Sequence, residues 1–316
     1  DSGTAITLTV GADDSPYWAG DGDATWNTTS ANNWKLNSNN NPTTFLASDN
    51  ALFNDNATGS GPLTVNIDAA DVTPTSTIFD NSTKNYILNS SSTFGISTGS
   101  LTKSGTGSLT LNTVNTFTGN TTINGGSLII GGAGQLGGGT YAGAISNNGS
   151  FQYSSSANQT LSGIVSGTGS ITQNGPGNLT LSGANGFSGG LEVKGGTVIL
   201  GNNTAAGTGT IDFDTGSATS ATVQFSGALT GIANPISVSS GSIGTNTVST
   251  VGTGALVLNG AITLSSGTTL TVDNSSSNNS TIDIGAGLIS GDGGIITTGT
   301  STNSFVFRGA NTYTGG

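Results

Sequence analysis

The amino-acid sequence predicts an all-β fold, specifically a right-handed parallel β-helix (solenoid) with an N-terminal capping region. Three observations support this prediction: apolar and polar residues alternate in short runs, glycine and asparagine recur every few residues, and one long segment is repeated. Alternation with a period of two is typical of strands, and repetition at a fixed period is typical of solenoids. Nowhere does the chain show the three-and-four spacing of apolar residues that a helix requires.

The alternating runs occur through most of the chain, for example as ITLTV, SLTLN, LEVKGGTVIL and TLTV. A chain with 53 glycines and only 7% charged residues is also compatible with a flexible linker or a mucin-like stalk. The apolar runs argue against disorder, because they supply the surface that a core can bury. With roughly 20–25 residues in each coil, we expect on the order of a dozen coils. The rod would then be about 60–70 Å long.

A repeated segment occupies 101–131 and again 171–201, with thirteen of 31 positions identical and no gap between the two alignments. A partial third copy covers 291–316 and ends with GANTYTGG. Because this copy stops in mid-repeat, we expect the natural polypeptide to continue past Gly316. Each full copy predicts a strand, a turn, a second strand, a turn and a third strand, with Phe117 pointing inward. The glycines are expected at tight corners that need a positive φ.

The first 60 residues differ from the rest, and we predict two regions: a capping and leading-strand region at 1–60 and the solenoid at 61–316. All three tryptophans, Trp18, Trp26 and Trp34, lie in the first region. A solenoid end exposes an apolar coil and an unpaired strand edge, which large aromatic side chains can cover. The alternative interpretation is an aromatic platform on which a glycan stacks.

The repeats resemble the passenger-associated transport repeat, also called the autotransporter-associated β-strand repeat. The resemblance rests on LTKSGTGSLTL, NTFTGNTTINGGSL and GANTYTGG. It is strong over 101–131 and 171–201, partial over 291–316 and weak elsewhere. It implies a β-helical passenger that is exported across the bacterial envelope and displayed or released outside the cell. The membrane barrel of that family is absent from this sequence, and the family supplies no common catalytic residues.

Composition excludes several functions. Five basic residues against sixteen acidic ones give a net charge of −11, which disfavours nucleic acid and anionic membrane surfaces as partners. The chain lacks His and Cys, so the usual catalytic triads and imidazole metal sites are excluded. No stretch is long and apolar enough to insert into a membrane as a helix. The absence of Cys is compatible with secretion through an oxidising compartment, and the resemblance implies a secreted, extracellular protein of the bacterial cell surface. We expect no cofactor.

Paired carboxylates are the remaining candidates for chemistry. Asp212 and Asp214 are spaced to share one face of a strand, where they could act as acid and base. Asp21 and Asp23 are weak candidates for Ca²⁺, as is the adjacent pair at 13–14, because the rest of a calcium loop motif is missing. Arg308, the only arginine, has no acidic residue near it in sequence. The simpler interpretation is that these aspartates cap turns.

The sequence therefore predicts a non-enzymatic extracellular rod, with self-association through the β-helix ends and assembly into a surface filament. The run TAITLTV at 4–10 is a candidate strand for such pairing. Two alternatives remain open. One is an adhesin that binds cell-surface or matrix glycans through the tryptophans or exposed loops, and the other is a polysaccharide-active β-helix enzyme.

Overall fold

The computed structural model describes residues 15–29, 33–216, 219–275, 280–285 and 287–315. The predicted leading strand at 4–10 lies outside the described residues, as does the acidic pair at 13–14. Within the described residues the chain is all-β, with one single-turn 3-10 helix at Gly137–Gly139. Parallel strands stack coil upon coil, so the predicted parallel β-helix is confirmed.

The strands of the first half are β1 Pro16–Trp18, β2 Trp34–Leu36, β3 Pro42–Thr43, β4 Asn50–Asn54, β5 Pro62–Asn66, β6 Ser76–Asp80, β7 Asn85–Asn89, β8 Ser100–Ser104, β9 Ser108–Leu111, β10 Thr121–Ile123, β11 Ser127–Ile130, β12 Thr140–Tyr141, β13 Ile145–Asn147, β14 Ser150–Tyr153, β15 Gln159–Leu161 and β16 Val165–Ser166. Those of the second half are β17 Ser170–Gln173, β18 Leu179–Leu181, β19 Leu191–Val193, β20 Gly196–Leu200, β21 Ile211–Phe213, β22 Ala221–Ser226, β23 Leu229–Ile232, β24 Ile236–Val238, β25 Asn246–Val251, β26 Ala255–Leu258, β27 Ile262–Leu264, β28 Thr269–Asn274, β29 Thr281–Ile284, β30 Ile289–Gly291, β31 Gly294–Gly299 and β32 Ser304–Phe307.

Four sheets run along the rod. The first sheet has the order β16-β13-β10-β8-β6-β4-β1-β2-β3, and the second has the order β30-β27-β24-β21-β19-β17-β14-β11-β9-β7-β5. The third is β12-β15-β18-β20-β22-β25-β28-β31, and the fourth is β23-β26-β29-β32. In chain order each fourth-sheet strand follows a third-sheet strand and precedes the next second-sheet strand, except β32 at the end. The fourth sheet therefore occupies the face that the first sheet occupies earlier in the chain, which gives the rod three faces.

Strand alternation explains the core. In β22, Ala221, Val223 and Phe225 are buried, whereas the residues between them are half-exposed. The same pattern of burial recurs in most strands, so one continuous apolar cluster runs from Trp18 to Ile289. Leu, Ile, Val and Phe thus form the bore that the alternation predicts, since successive side chains of a strand point to opposite faces.

The coils vary in length. Partners on neighbouring strands of the second sheet lie 19 residues apart at Ser108 and Ser127, and 27 apart at Ile262 and Ile289. The second sheet contributes one strand per coil and has eleven strands. At the usual spacing between strands, the coils span about 50 Å, shorter than the 60–70 Å expected. The difference arises because the N-terminal residues do not form coils and because the later coils are longer than 25 residues.

The N-terminal end of the first sheet is closed by an antiparallel meander. β1 pairs antiparallel with β2, and β2 pairs antiparallel with β3, whereas β1 joins the coils through a parallel contact with β4 at Tyr17 and Leu52. The terminal strand β3 has only two residues and begins with Pro42, which donates no backbone hydrogen bond. Such an edge is poorly suited to further strand pairing.

Candidate functional site

The two full repeats each build about one and a half coils. The first contributes β8 to β11, and the second contributes β17 to β20. All three strands predicted for each repeat are present, and the inward Phe117 is 1% exposed, as expected. The motif therefore acts as a structural unit of the solenoid. The positions that the two copies share are first examined for their contacts within the stack.

The asparagine that the repeats share links three successive coils. The Asn185 side chain accepts a hydrogen bond from the Val165 N–H at 2.7 Å and donates one to the Ala205 carbonyl at 2.7 Å. Its counterpart Asn115 accepts from the Ile96 N–H at 3.0 Å and donates to a carbonyl of the next coil. Both side chains are buried. A buried amide in this position adds to the few backbone hydrogen bonds between coils at the turn, such as that from the Gly186 N–H to the Val165 carbonyl.

The partial third copy shows the same contact. Asn311 accepts a hydrogen bond at 3.0 Å from the N–H of Ile289, which lies in the preceding coil. The equivalence of Asn311 with Asn115 and Asn185 gives the copy at 291–316 a structural basis in addition to its sequence similarity.

The motif glycines occupy positions where two backbones meet. A Cβ on Gly119 would lie 2.1 Å from the Gly99 carbonyl oxygen, and one on Gly189 would lie 2.4 Å from the Gly169 carbonyl carbon. Neither residue has a positive φ. The prediction that glycines are needed for positive φ holds at Gly126, with a φ of +64°, but at these two positions glycine is needed because of space.

The repeat changes face as it recurs. The first copy alternates between the first and second sheets, whereas the second copy alternates between the second and third. In the partial copy, β31 lies in the third sheet and β32 in the fourth, which occupies the next face. Each copy is thus displaced by one face. The 70 residues between Asn115 and Asn185 correspond to three coils and one further face, and the 126 residues between Asn185 and Asn311 correspond to five coils and one further face.

A lysine lies inside the bore. Lys103 is 0% exposed, and its Nζ donates to the Ser104 and Gly105 carbonyls at 2.6 and 3.1 Å. Burial lowers the pKa of Lys103 to about 8. The equivalent residue of the second repeat, Gln173, donates to the Gly175 and Gly177 carbonyls, both at 2.8 Å. Sequence reasoning missed this pair, although its signal was present: Lys103 follows Leu101 by two residues and so shares the inward face of its strand.

The three tryptophans lie in the core. Trp18, Trp26 and Trp34 are 2%, 1% and 0% exposed. Trp34 packs against Phe45 and Phe53 with ring centroids 5.1 and 5.4 Å apart, and Trp26 contacts the same two rings. Buried indoles present no face on which a sugar can stack, so a glycan platform is not available at these residues.

The candidate calcium aspartates have other partners. Asp21 forms an ion pair with Lys35, and Asp23 Oδ1 accepts hydrogen bonds from the Thr25 N–H at 2.8 Å and the Asn33 amide at 2.7 Å. These contacts lower the pKa of both carboxyls. Within the described ranges, no group of three or more acidic side chains converges closely enough to hold a metal ion. Asp23 therefore caps a turn, whereas Asp21 is held by its ion pair with Lys35.

An open groove of about 470 Å³ lies on the second face, where Glu192 and Asp212 occupy neighbouring rungs of the sheet. Its remaining lining is Ser170, Ser188, Gly189, Gly190, Leu191, Gly209 and Thr210. Lys194 lies beside it and bridges Glu192 and Asp214 at 2.9 and 2.8 Å. Of the two aspartates singled out in the sequence, only Asp212 lines the groove, and its closest acidic neighbour there is Glu192, which sequence reasoning did not select.

The carboxyl of Asp212 is partly buried close to two other carboxylates. Burial raises its pKa, and the nearby Asp214 and Glu192 carboxylates act in the same direction. Ser239 Oγ donates to it at 2.9 Å, and Thr172 Oγ1 donates to Glu192 at 3.0 Å. The groove thus offers two carboxylates, each held by a neighbouring hydroxyl group, which can accept hydrogen bonds from a hydroxyl-rich ligand.

The lone arginine has a partner that the sequence does not reveal. Arg308 Nε donates to both carboxylate oxygens of Asp283 at 3.0 Å, across adjacent coils. The two residues are 25 positions apart and meet because β29 and β32 pair in register. Arg308 therefore stabilises the edge of the fourth sheet and does not face the acidic groove.

In the described part of the chain, no helix reaches the length and apolarity needed to cross a membrane.

Comparison with known families supports the resemblance seen in the motif. A family model, the passenger-associated transport repeat, matches residues 101–130 and 171–200. These are the two segments that build β8 to β11 and β17 to β20. Neither the curated proteins nor the solved structures contain a match to the chain.

Proposed function

From two passenger-associated transport repeats within one continuous β-helix, we propose that this chain is an extracellular passenger that acts as a structural rod. The observation that supports this most directly is that the motif residues are used for stacking. Asn115, Asn185 and the motif glycines all join one coil to the next. When the residues that a repeat shares make contacts between coils, repeating the unit adds length and stiffness to the stack. Repetition of those residues does not multiply a binding or catalytic site.

Surface display is the first test of this proposal. Antibodies against the chain, applied to intact cells of the bacterium that makes it, should label the surface, and external protease should remove the label. Retention of the full-length chain in the cytoplasm would overturn the assignment. A cytoplasmic protein of known location serves as the control for cell integrity.

End-to-end assembly into a filament is the finer part of the proposal. The second sheet ends in β5 at one end of the rod and in β30 at the other. Among the residues that the structure describes, the backbone of the segment 24–26 pairs with β5 only at Asn66, through a bridge from Thr25, and this supports the rest of that edge as a site for a neighbouring rod. Electron microscopy of the purified protein should then show strings of rods at high concentration. Separate rods at every concentration would exclude the filament while leaving the passenger assignment intact.

Glycan recognition at the acidic groove is a second candidate function. The groove supports it because paired carboxylates, hydroxyl side chains and a glycine-lined floor suit a hydroxyl-rich ligand. Binding to a glycan array that is lost in Glu192→Gln and Asp212→Asn, and kept in Asp283→Asn, would support an adhesin. Cleavage of a bound polysaccharide that requires both carboxylates would instead support an enzyme, contrary to our expectation of no catalysis.

A further inference from the structure

A pocket lies at the N-terminal end of the rod, where the first segment of the chain does not fully cover the coil that follows it. Tyr17 pairs with Leu52 and Thr25 with Asn66, so the segment 17–25 is six residues shorter than the segment 52–66 that it covers. The shorter path leaves an open space of about 200 Å³ between the two segments. Its lining includes Trp18, Gly20, Asp23, Thr58, Leu63 and Thr64.

Trp18 turns the edge of its indole, and not a face, toward this pocket. The side chain is 2% exposed, and a Cβ at Gly20 would lie 3.1 Å from Nε1 of Trp18. Gly20 has a φ of +67° and lines the pocket, so glycine at this position leaves the nitrogen uncovered. Within the described residues Nε1 of Trp18 has no hydrogen-bond acceptor, although a buried indole usually finds one. The Trp18 N–H is therefore available to a molecule in the pocket.

The other two tryptophans have different surroundings. Nε1 of Trp26 and Nε1 of Trp34 are buried without a hydrogen-bond partner. These two indoles pack against each other and against Phe45, with ring centroids 5.7, 5.3 and 5.1 Å apart, and neither lines the pocket. A ligand in the pocket therefore meets the N–H of Trp18 and not those of the other two.

Asp23 provides the charged group of the pocket. Its Oδ1 accepts hydrogen bonds from the Asn33 amide at 2.7 Å and the Thr25 N–H at 2.8 Å, which fix the carboxylate in place and lower its pKa. The residue is exposed, so the carboxylate has lone pairs left for a ligand. Leu63, which packs partly against the core, adds an apolar wall.

This mixture of groups selects the class of ligand. A lysine or arginine side chain has donors only, so it would leave the Trp18 N–H unpaired. A carboxylate or phosphate has acceptors only and would face the negative charge of Asp23, with no basic side chain among the described lining residues to offset it. A hydroxyl group both accepts and donates, so neighbouring hydroxyls on one ring can satisfy Trp18 and Asp23 together.

The size of the pocket limits the ligand to about one ring. A volume of about 200 Å³ is below the roughly 300–1,000 Å³ of most small-molecule sites. It corresponds to the share of liquid volume taken by roughly seven water molecules. A contact of this size gives weak binding, with a Kd on the order of 0.1–10 mM.

We propose that the pocket between the segments 17–25 and 52–66 binds a single neutral sugar ring, either a free monosaccharide or the terminal unit of a glycan. Trp18 Nε1 donates to one hydroxyl oxygen, Asp23 accepts from a neighbouring hydroxyl, and Leu63 contacts the C–H groups of the ring. The contact uses the edge of Trp18, because one face of its indole stacks on Phe53. The site lies at the tip of the rod and is separate from the acidic groove of the second face.

The indole N–H signals of the whole chain test the proposal. The chain has three tryptophans, so the ¹⁵N-labelled protein gives three such signals, and Trp18→Phe identifies the one from Trp18. Titration with neutral hexoses and N-acetylhexosamines to about 100 mM should move the Trp18 signal alone and reach saturation. The methyl glycosides of the same sugars stand for the end of a glycan, so the series that binds more tightly identifies the source. No shift with any sugar, or a shift with butylammonium or guanidinium only, would refute the proposal.

A change at Asp23 tests the acceptor. Asp23→Asn keeps an Oδ1 for Thr25 and Asn33 but loses the charge, so the Kd for the sugar should rise at least about fivefold. The matched control is Asp273→Asn on β28, because the Asp273 Oδ1 accepts the Ser275 N–H in a turn of the same length. This control should leave the Kd unchanged. An equal rise in the two variants, or no rise in either, would place the sugar elsewhere and overturn the proposal.

Proton exchange keeps the proposal testable if Asp23→Asn fails to fold. The indole N–H of Trp18 should exchange with water faster than those of Trp26 and Trp34, which are enclosed by other rings, and a bound sugar should slow it. Glu192→Gln/Asp212→Asn should change neither the exchange nor the titration, because the acidic groove is a different site. Exchange at Trp18 as slow as at the other two would show that the pocket does not reach this nitrogen, which would contradict the proposal.

Discussion

At the scale of the residue, two polar side chains, Lys103 and Gln173, lie inside the bore, which the composition alone does not predict. A chain with so few charged residues is expected to keep its lysines on the surface, yet Lys103 lies fully inside the bore. It is tolerated because its ammonium group donates hydrogen bonds to the Ser104 and Gly105 carbonyls of the adjoining turn, so the buried polar group has partners. Gln173 meets the same need in the second repeat with a neutral amide.

This equivalence predicts the effect of Lys103→Gln. The folded pKa of Lys103, about 8, is below its ordinary value of 10.5, so the folded state releases the proton first as pH rises. The wild type should therefore gain about 2 kcal/mol relative to the variant between pH 8 and pH 10.5, and nothing below pH 8. Denaturant unfolding at pH 7 and pH 10 measures the difference. An identical difference at both pH values would contradict the buried, perturbed lysine.

Asn185 provides a second prediction at this scale. Asn185→Ala removes the side chain that bonds both the Val165 N–H and the Ala205 carbonyl. We therefore expect the free energy of unfolding to fall by about 2–4 kcal/mol. Asn120→Ala is the control, because Asn120 is exposed and water can replace its single bond to the Ala144 N–H. Equal losses in the two variants, measured by denaturant unfolding, would show that the buried Asn185 bridge between coils contributes no more stability than an exposed hydrogen bond.

At the scale of the element, each turn between strands has to fit within the spacing that strand pairing sets between coils. In the turn that follows β18, Gly186 has open space around it, whereas Gly189 lies against the backbone of Gly169. The sequence marks both positions in the same way, as glycine. Only the stacked structure distinguishes a glycine that is required by crowding from one that is not.

The two glycines therefore respond oppositely to substitution. Gly189→Ala should cost more than about 2 kcal/mol, because its Cβ has to push two coils apart. Gly186→Ala, which meets nothing within 4 Å and has no positive φ, should be neutral or stabilise by about 0.5 kcal/mol. Thermal unfolding of the two variants provides the comparison. Equal destabilisation would mean that the turn packs differently from the structure described.

Much of the element-level architecture was predictable from sequence. Alternation located strands such as β9 and β11, and the repeat located the turns between them. The packing of Trp34 against Phe45 and Phe53 and the pairing of Arg308 with Asp283 were not predictable, because both depend on which residues the fold brings together from distant parts of the chain. The groove was half predictable: Asp212 was selected for its spacing, whereas Glu192 reaches it from the preceding coil.

At the scale of the whole molecule, stability is local. Each coil contacts only the coils beside it, so the rod behaves as a one-dimensional stack whose ends open before its middle. The aromatic cluster of Trp26, Trp34, Phe45 and Phe53 lies at one such end, next to the antiparallel meander. This placement favours the capping interpretation of the tryptophans.

Hydrogen exchange tests the cap. Trp34→Ala should leave a large cavity and cost about 3–5 kcal/mol locally. The loss of amide protection should be confined to the N-terminal coils, roughly up to β7, while β22 to β28 keep the protection of the wild type. A uniform loss along the chain would show that the rod unfolds as one cooperative unit and that the tryptophans are not a local cap.

The displacement of the repeat by one face has a consequence for how such rods change in length. Inserting one 70-residue unit would extend the stack and also turn everything distal to it by a third of a revolution about the long axis. Loops that pointed toward a neighbour would then point away from it, although no residue in them had changed. Only additions in multiples of three units would keep the loops beyond the insertion at the same angle about the long axis. Variation in repeat number therefore changes the orientation of these loops as well as the length of the rod.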